Sequence, residues 1–248
     1  MKVDVFYGST ALTPPDVQNR LVAVIDVLRA STSIAVALAN GAKAVIPFES
    51  SEDAVLRAKQ FARTEVRLAG ERKMHPIPGF DFGNSPREFT TEAVEGKTIL
   101  FTTTNGTPAL LGTQGARDVV VASYVNFSVV LAMLRAGLRG GAEVTIICSG
   151  RDRRYSLEDA ACAGRYVRHI TKRLANIQVN DAGRAAMLLD ARYRDDIGRL
   201  LAESEHGAAL IEAGYADDLA TCAAIDSCAV IPVYADRQIT RLGPDRER

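Results

Sequence analysis

A layered α/β protein with a mainly parallel or mixed sheet is the fold class that these 248 residues predict, on three observations. Apolar runs of strand length alternate with helical patterns over most of the chain. Several of those runs are apolar on both faces, as in strands covered by helices on each side. The intervening helical patterns open on Ser, Thr, Asn or Asp, the residues that cap helix starts. The length suits one large α/β domain or two small, closely packed ones.

In chain order, strands are expected at VDVFY (3–7), VAVIDV (22–27), AVIPF (44–48) and VRLA (66–69). Four more follow at TILFTT (98–103), VVVAS (119–123), VTIIC (144–148) and VIPVY (230–234). Helices are expected at STSIAVALAN (31–40), SSEDAVLRAKQFART (50–64) and NFSVVLAMLRAG (126–137). Residues 156–223 read as almost entirely helical, either covering one sheet face or forming a helical subdomain. A faint repeat at an offset of 74 residues aligns GAK (41–43) with GAR (115–117), and VLRAST roughly with TTTNGT. It suggests two similar halves, although ordinary α/β periodicity also produces such echoes.

Composition narrows the function. Lys+Arg and Asp+Glu are both 30, and no basic stripe is present, so nucleic-acid binding is not expected. No apolar stretch approaches the ~20 residues that span a bilayer, and MKVDVFYGST does not read as a signal peptide. Cys148, Cys162, Cys222 and Cys228 lack a CxxC pair and read as buried reduced thiols. A cytoplasmic protein is the expectation, with no membrane partner. A homodimer is expected only on general grounds.

Chemistry is expected at the carboxyl ends of the strands, where ligands bind in open α/β sheets. Four polar clusters fall there: Asp26 to Thr32, Gly70 to Arg72, Thr102 to Thr107, and Ser149 to Asp159. Two of them head long irregular segments, GERKMHPIPGFDFGNSPRE from residue 70 and SGRDRRYSLED from residue 149. The helix starts at STSIAVALAN and NGTPALL suit a phosphate. Arg29 is a bidentate phosphate binder, with Ser31 and Thr32 at the same entrance. Thr103, Thr104, Asn105 and Thr107 add hydrogen bonds, and Gly106 permits close backbone approach. No Walker motif and no GxGxxG fingerprint is present. Asp26, Glu71, Asp81, Glu158 and Asp159 supply hard oxygens suited to Mg²⁺ or Mn²⁺. Phosphate binders and metal-binding acids on one edge imply phosphoryl transfer or phosphate-ester hydrolysis.

Structural roles compete with each of these readings. Ser31, Thr32 and Asn105 are equally good helix caps, Asp26 could pair with Arg29, and Glu158 and Asp159 could complement a helix N-terminus. His169 and His206 read as surface or helix-packing residues, His75 gains interest only from its loop, and Cys162 reads as a core thiol.

Taken in order, VIDVLRAST, GERxxxxIPGFDFGNSP, TTTNGT and SLEDAACAG resemble the 2-phosphosulfolactate phosphatase family, across essentially the whole chain. The resemblance implies a single domain over 1–248, a three-layer α/β/α fold and a Mg²⁺-dependent phosphoric monoester hydrolase. In coenzyme M biosynthesis that activity converts 2-phosphosulfolactate to 3-sulfolactate and phosphate. The family pattern singles out Asp26, Arg29, Glu71, Asp81, Asn84, Asn105, Glu158 and Asp159. Asp26, Glu71 and Asp81 are assigned to the metal or to the attacking water. Arg29, Asn84 and the TNGT loop are assigned to the substrate, and Glu158 or Asp159 to protonation of the leaving alkoxide. Arg151, Arg153 and Arg154 are candidates for a carboxylate or sulfonate. Asp26 as a nucleophile is the alternative to water, though DVLRA lacks the second Asp of a DxDxT loop. Rival classes are a phosphoryl or nucleotidyl transferase and a noncatalytic anion-binding sensor.

Overall fold

All eight apolar runs form strands in the computed structural model, which describes residues 1–8, 10, 12–152 and 154–243. The chain begins β1 (Lys2–Phe6), α1 (Pro14–Val17), β2 (Leu21–Ile25), α2 (Ala30–Ala39), β3 (Ala44–Pro47), α3 (Ser51–Ala58) and β4 (Val66–Arg72). It continues with β5 (His75–Pro76), α4 (Thr91–Val94), β6 (Thr98–Thr102), α5 (Gly106–Leu111), β7 (Asp118–Ala122), α6 (Phe127–Arg139) and β8 (Val144–Cys148). The C-terminal part holds α7 (Leu157–Arg173), β9 (Gln178–Val179), α8 (Asp181–Tyr193), α9 (Ile197–Glu203), α10 (Glu205–Glu212) and α11 (Ala216–Ala223). β10 (Pro232–Ala235) and β11 (Gln238–Arg241) close the sheet. The strands not expected from the sequence are β5, β9 and β11. Two of them are two residues long and the third, QITR, is polar apart from Ile239, so none carries an apolar run.

The sheet is mixed, in the order β5-β4-β6-β3-β11-β10-β7-β2-β8-β1-β9. Strands β2, β7, β8, β1 and β9 are mutually parallel, as are β3, β6 and β4. The antiparallel β10–β11 hairpin joins the two groups. Around that hairpin the order β4-β6-β3-β11 mirrors β8-β2-β7-β10, so the repeat seen in the sequence is a structural one. The 74-residue offset carries Ala44, the first residue of β3, onto Asp118, the first of β7. Each half lends its first strand to the other: β2 lies between β7 and β8, and β6 between β3 and β4. Ile25 is level with Ala122 and Cys148, and Phe101 with Pro47 and Ala69. The two crossed strands therefore end at equivalent heights, at Asp26 and Thr102.

The core is layered accordingly. One face of β2 and β7 (Val22, Val24, Val119, Val121) and the facing side of β6 (Ile99, Phe101) cover the same pair of helices, α2 and α5. The opposite face packs on α6 and α7 through Leu134, Leu138, Tyr166 and Ile170 in one half, and on α3 through Ala54 in the other. Helices α2 and α5 occupy one layer, with their N-termini together. A Cβ at Gly106 would lie 2.8 Å from Ala30 Cβ and 2.8 Å from Asp26 Oδ2, so glycine permits that approach. Helices α9 to α11 gather beside α7 and reach across to the 3-10 turn Pro86–Glu88.

All four cysteines are buried and free. No helix among the described residues is long and apolar enough to cross a membrane.

Candidate active site

Where the two helix N-termini meet, a cavity of about 150 Å³ opens at the carboxyl ends of β2 and β6. It is lined by Asp26, Leu28 and Arg29 from the first crossing and by Thr103, Thr104 and Asn105 from the second. The remaining walls come from Glu71, Lys73, Met74 and Asn84, from Arg151 and Asp152, and from His206. Three of the four polar clusters thus meet with part of the fourth.

Asp26 stands at the centre. Its Oδ1 accepts from the Ala30 N–H (3.2 Å), so the N-terminus of α2 is capped by Asp26 itself rather than left free for a ligand. Burial raises the Asp26 carboxyl to about 6; the charge of His206 and the Ala30 amide oppose the rise, and Glu71 and Glu158 add to it. Glu71 accepts from the Thr104 N–H through Oε1 (2.8 Å) and from the Met74 N–H through Oε2 (3.0 Å). One carboxylate thereby ties the β6–α5 loop to the β4–β5 hairpin. Asn84 is buried, and its Oδ1 has no hydrogen-bond partner among the described residues. An unsatisfied buried acceptor is costly unless a donor or cation meets it.

Arg29 lines the cavity, yet its guanidinium is held within the protein. Nη1 donates to Asp218 Oδ2 (2.7 Å), Nη2 to the Met74 carbonyl (3.1 Å), and the group lies 4.4 Å over the Tyr215 ring. Its ion pair is therefore with Asp218, whose other oxygen accepts from Ser85 Oγ (2.6 Å), and not with Asp26. The helix-rich segment thus contributes directly to the site. His206 on α10 faces the cavity with Nδ1 3.5 Å from Glu158 Oε1, which corrects its reading as a surface or packing residue. Nothing adjacent in sequence marks it, because Glu158 lies on a different helix.

Several predicted residues sit elsewhere. Asp81 is outside the cavity: it pairs with Arg63 and accepts from the Leu68 N–H (2.8 Å), a strap across the loop. Burial pushes its carboxyl up, but Arg63 and that amide outweigh it, and the group is held below its ordinary range. Ser31 Oγ accepts from the Asp26 N–H (2.9 Å), and Thr32 Oγ1 donates to the Val27 carbonyl (3.0 Å); both brace the turn and neither lines the cavity. Thr107 faces Thr103 (Oγ1 to Oγ1, 3.4 Å) inside the β6–α5 turn, and Asn105 Oδ1 accepts from the Asp152 N–H (3.0 Å). Asp159 is buried behind the site, its two oxygens accepting from the Val27 (2.8 Å) and Gly150 (3.1 Å) amides. Burial and the charge of Glu158 push it well up, but it does not reach the cavity and cannot protonate a leaving group there. For Glu158, burial pushes up while His206 outweighs it, leaving the carboxyl low and anionic. Arg153 lies outside the described residues. Arg151 pairs with Glu205 (3.3 Å), and Arg154 does not line the cavity. Cys162 is a core thiol, pushed well up by burial and by Asp159.

A divalent ion is the cofactor that the family resemblance implies. Among the described residues no group of three or more His, Cys, Asp and Glu side chains is placed to hold a metal, so a closed zinc-type site is not built here. Mg²⁺ needs only one or two carboxylates, keeping waters and substrate oxygens as its other ligands. Asp26, Glu71 and the unpartnered Asn84 Oδ1 fit that requirement, while Asp81 lies outside the cavity, bonded to Arg63 and the Leu68 amide.

Comparison with known proteins finds relatives along nearly the whole chain. A family model described as 2-phosphosulpholactate phosphatase matches residues 9–237. A protein of Symbiobacterium thermophilum, named probable 2-phosphosulfolactate phosphatase, is 40% identical over 92% of this chain and 98% of its own. One of Clostridium acetobutylicum with the same name is 32% identical over 96% of this chain and 100% of its own. A third with that name, of a Synechococcus species, is 40% identical over 84% of this chain and 86% of its own.

Proposed function

The chain belongs to the 2-phosphosulpholactate phosphatase family, and on that premise we propose that it is a Mg²⁺-dependent phosphoric monoester hydrolase. Its substrate is a small anionic 2-hydroxy acid phosphate, 2-phosphosulfolactate, which it converts to 3-sulfolactate and inorganic phosphate. The observation that carries the reading is the meeting of Asp26, Glu71 and His206 around one small cavity at paired helix starts. A space of about 150 Å³ suits a small phosphate ester.

Asp26, Glu71 and Asn84 would hold Mg²⁺, which, when bound, neutralises charge on the phosphoryl oxygens. Phosphoryl transfer proceeds through a loose transition state, so positioning matters more than strong base catalysis. Asp26 orients the attacking water, whose oxygen forms the new bond to phosphorus. As the ester P–O bond breaks, His206, whose Nδ1 lies 3.5 Å from Glu158 Oε1, gives a proton to the leaving alkoxide. This assignment replaces Glu158 or Asp159 as the acid. The Asn105 and Thr103–Thr104 wall would accommodate the phosphoryl oxygens, and Arg29, fixed by Asp218, would present its remaining N–H edge.

The test is phosphate release from a panel of small phospho-hydroxy acids, with Mg²⁺ and with chelator, alongside Asp26→Asn. Mg²⁺-dependent release of phosphate into water, abolished in the variant, is the expected result. Transfer to an acceptor, or binding of the esters without turnover, would replace the hydrolase reading with the transferase or sensor one.

A further inference from the structure

Among the described residues, three cationic side chains other than His206 line the cavity, and two are already engaged. Arg29 is held by Asp218 at 2.7 Å, and Arg151 by Glu205 at 3.3 Å and Asp152 at 3.9 Å. Lys73 has neither an ion pair nor a side-chain hydrogen bond among the described residues. Among the described residues it is the one uncommitted cation of the site.

Its placement is also built rather than incidental. Lys73 and Met74 form the two-residue tip of the β4–β5 hairpin, between Arg72 and its partner His75. Both tip residues have positive φ, 51° and 71°, in a turn that ordinarily selects Asn and Gly. The strained tip is clamped by the site itself: the Met74 N–H donates to Glu71 Oε2 (3.0 Å), and the Met74 carbonyl accepts from Arg29 Nη2 (3.1 Å). Two cavity-lining side chains, Glu71 and Arg29, therefore fix the backbone that carries Lys73 at the cavity wall.

From this we propose that Lys73 is the specificity-determining residue of the site, pairing with a second anionic group, a carboxylate or sulfonate, on the carbon skeleton of the phosphate ester. The inference rests on the hydrolase reading above and names the residue that reads the second anion of its substrate. It also moves that role from the arginines of the 149–159 loop, where the sequence suggested it, to the hairpin. A phosphate ester without the second anion gains nothing from Lys73.

The experiment compares wild type, Lys73→Met and Lys73→Arg on 2-phospholactate and 2-propyl phosphate, two esters that differ by a carboxylate in place of a methyl. Calorimetric binding of 3-sulfolactate is measured on the same three proteins. The expected result is a rise of about tenfold or more in KM for 2-phospholactate with Lys73→Met, with kcat within about threefold. Activity on 2-propyl phosphate stays within about threefold, and Lys73→Arg recovers most of the selectivity. Equal losses on both esters, or no change on either, would overturn the assignment. If wild type hydrolyses neither ester nor 2-phosphosulfolactate, the hydrolase reading fails, and the binding arm decides Lys73 alone. Sulfolactate binding weakened about tenfold in Lys73→Met supports the role, and binding that is unchanged or absent in wild type rejects it.

Discussion

The β2–α2 and β6–α5 crossings are the same structural device used twice, and they carry different chemistry. In each, a buried strand from one half ends between two strands of the other and turns at once into a helix of the same central layer. The first turn presents Asp26 and Arg29, a carboxylate and a guanidinium. The second presents hydroxyls and backbone: Thr103 and Thr107 bond each other, the Thr104 amide supports Glu71, and Asn105 accepts from Asp152. Pseudosymmetry brought two helix starts to one point. The chemistry was then divided, with charge on one side and a hydrogen-bonded frame on the other.

The sharpest test of that division is to neutralise each side. Asp26→Asn is expected to lower kcat by at least about 10³-fold in Mg²⁺, against about tenfold or less for Thr103→Ala, by steady-state phosphate release. Equal losses would show that the two turns share the chemistry. Asp26→Asn has an opposite consequence for stability in chelator. Because the folded protein holds the Asp26 proton more tightly than the unfolded chain, the wild type loses stability as pH rises from about 4 through about 6. The variant lacks that component. It is expected to be more stable at neutral pH by up to about 3 kcal/mol, read from denaturant midpoints across the pH range.

Next in size is His206→Gln, with about 10² lost from kcat on alkyl esters and a smaller loss on an aryl phosphate, whose leaving group needs no proton. Equal losses on both esters would remove His206 as the acid and return that role to solvent. Gly106→Ala probes where the two crossings touch. The added methyl would meet Ala30 Cβ and Asp26 Oδ2, so a stability loss of about 1–3 kcal/mol is expected with a drop in activity. Ala30→Gly in the same chain should recover part of both, since it clears one of the two contacts. The smallest effect is expected from Asp81→Asn, which loosens a strap outside the cavity: kcat within about threefold and about 1 kcal/mol of stability. A large, Mg²⁺-dependent loss there would reinstate Asp81 as a metal ligand.

Much of this was legible along the chain. The strands with continuous apolar runs, the helix starts and the four polar clusters follow from local pattern, because burial on both faces demands apolar runs and strand ends must turn in polar residues. The 74-residue echo correctly indicated two halves, since both keep the same strand–helix spacing. β5, β9 and β11 were not legible, being pairings that strand neighbours impose on short or polar segments. Among site residues, Asp26, Glu71 and Asn105 announced themselves by position at strand ends. His206 did not, because it sits on an ordinary amphipathic helix and reaches the cavity and Glu158, distant in sequence, only through the fold. Asp81 misled for the converse reason: a carboxylate in an irregular loop looks functional until Arg63 and the Leu68 amide are seen to occupy it.

By itself, the sequence determined the layered fold, the chemical character of the edge where ligands bind, and the family, for these depend on residue types at fixed short spacings. Tertiary structure alone decided the crossing of β2 and β6 between halves, the partner of Arg29 and the arrival of His206. It also decided which cation was left uncommitted, Lys73. Those outcomes depend on which groups become neighbours after the sheet twists and the helical segment docks. Charge, burial and hydrogen bonding act through distance in space, and the order of residues along a chain does not record it.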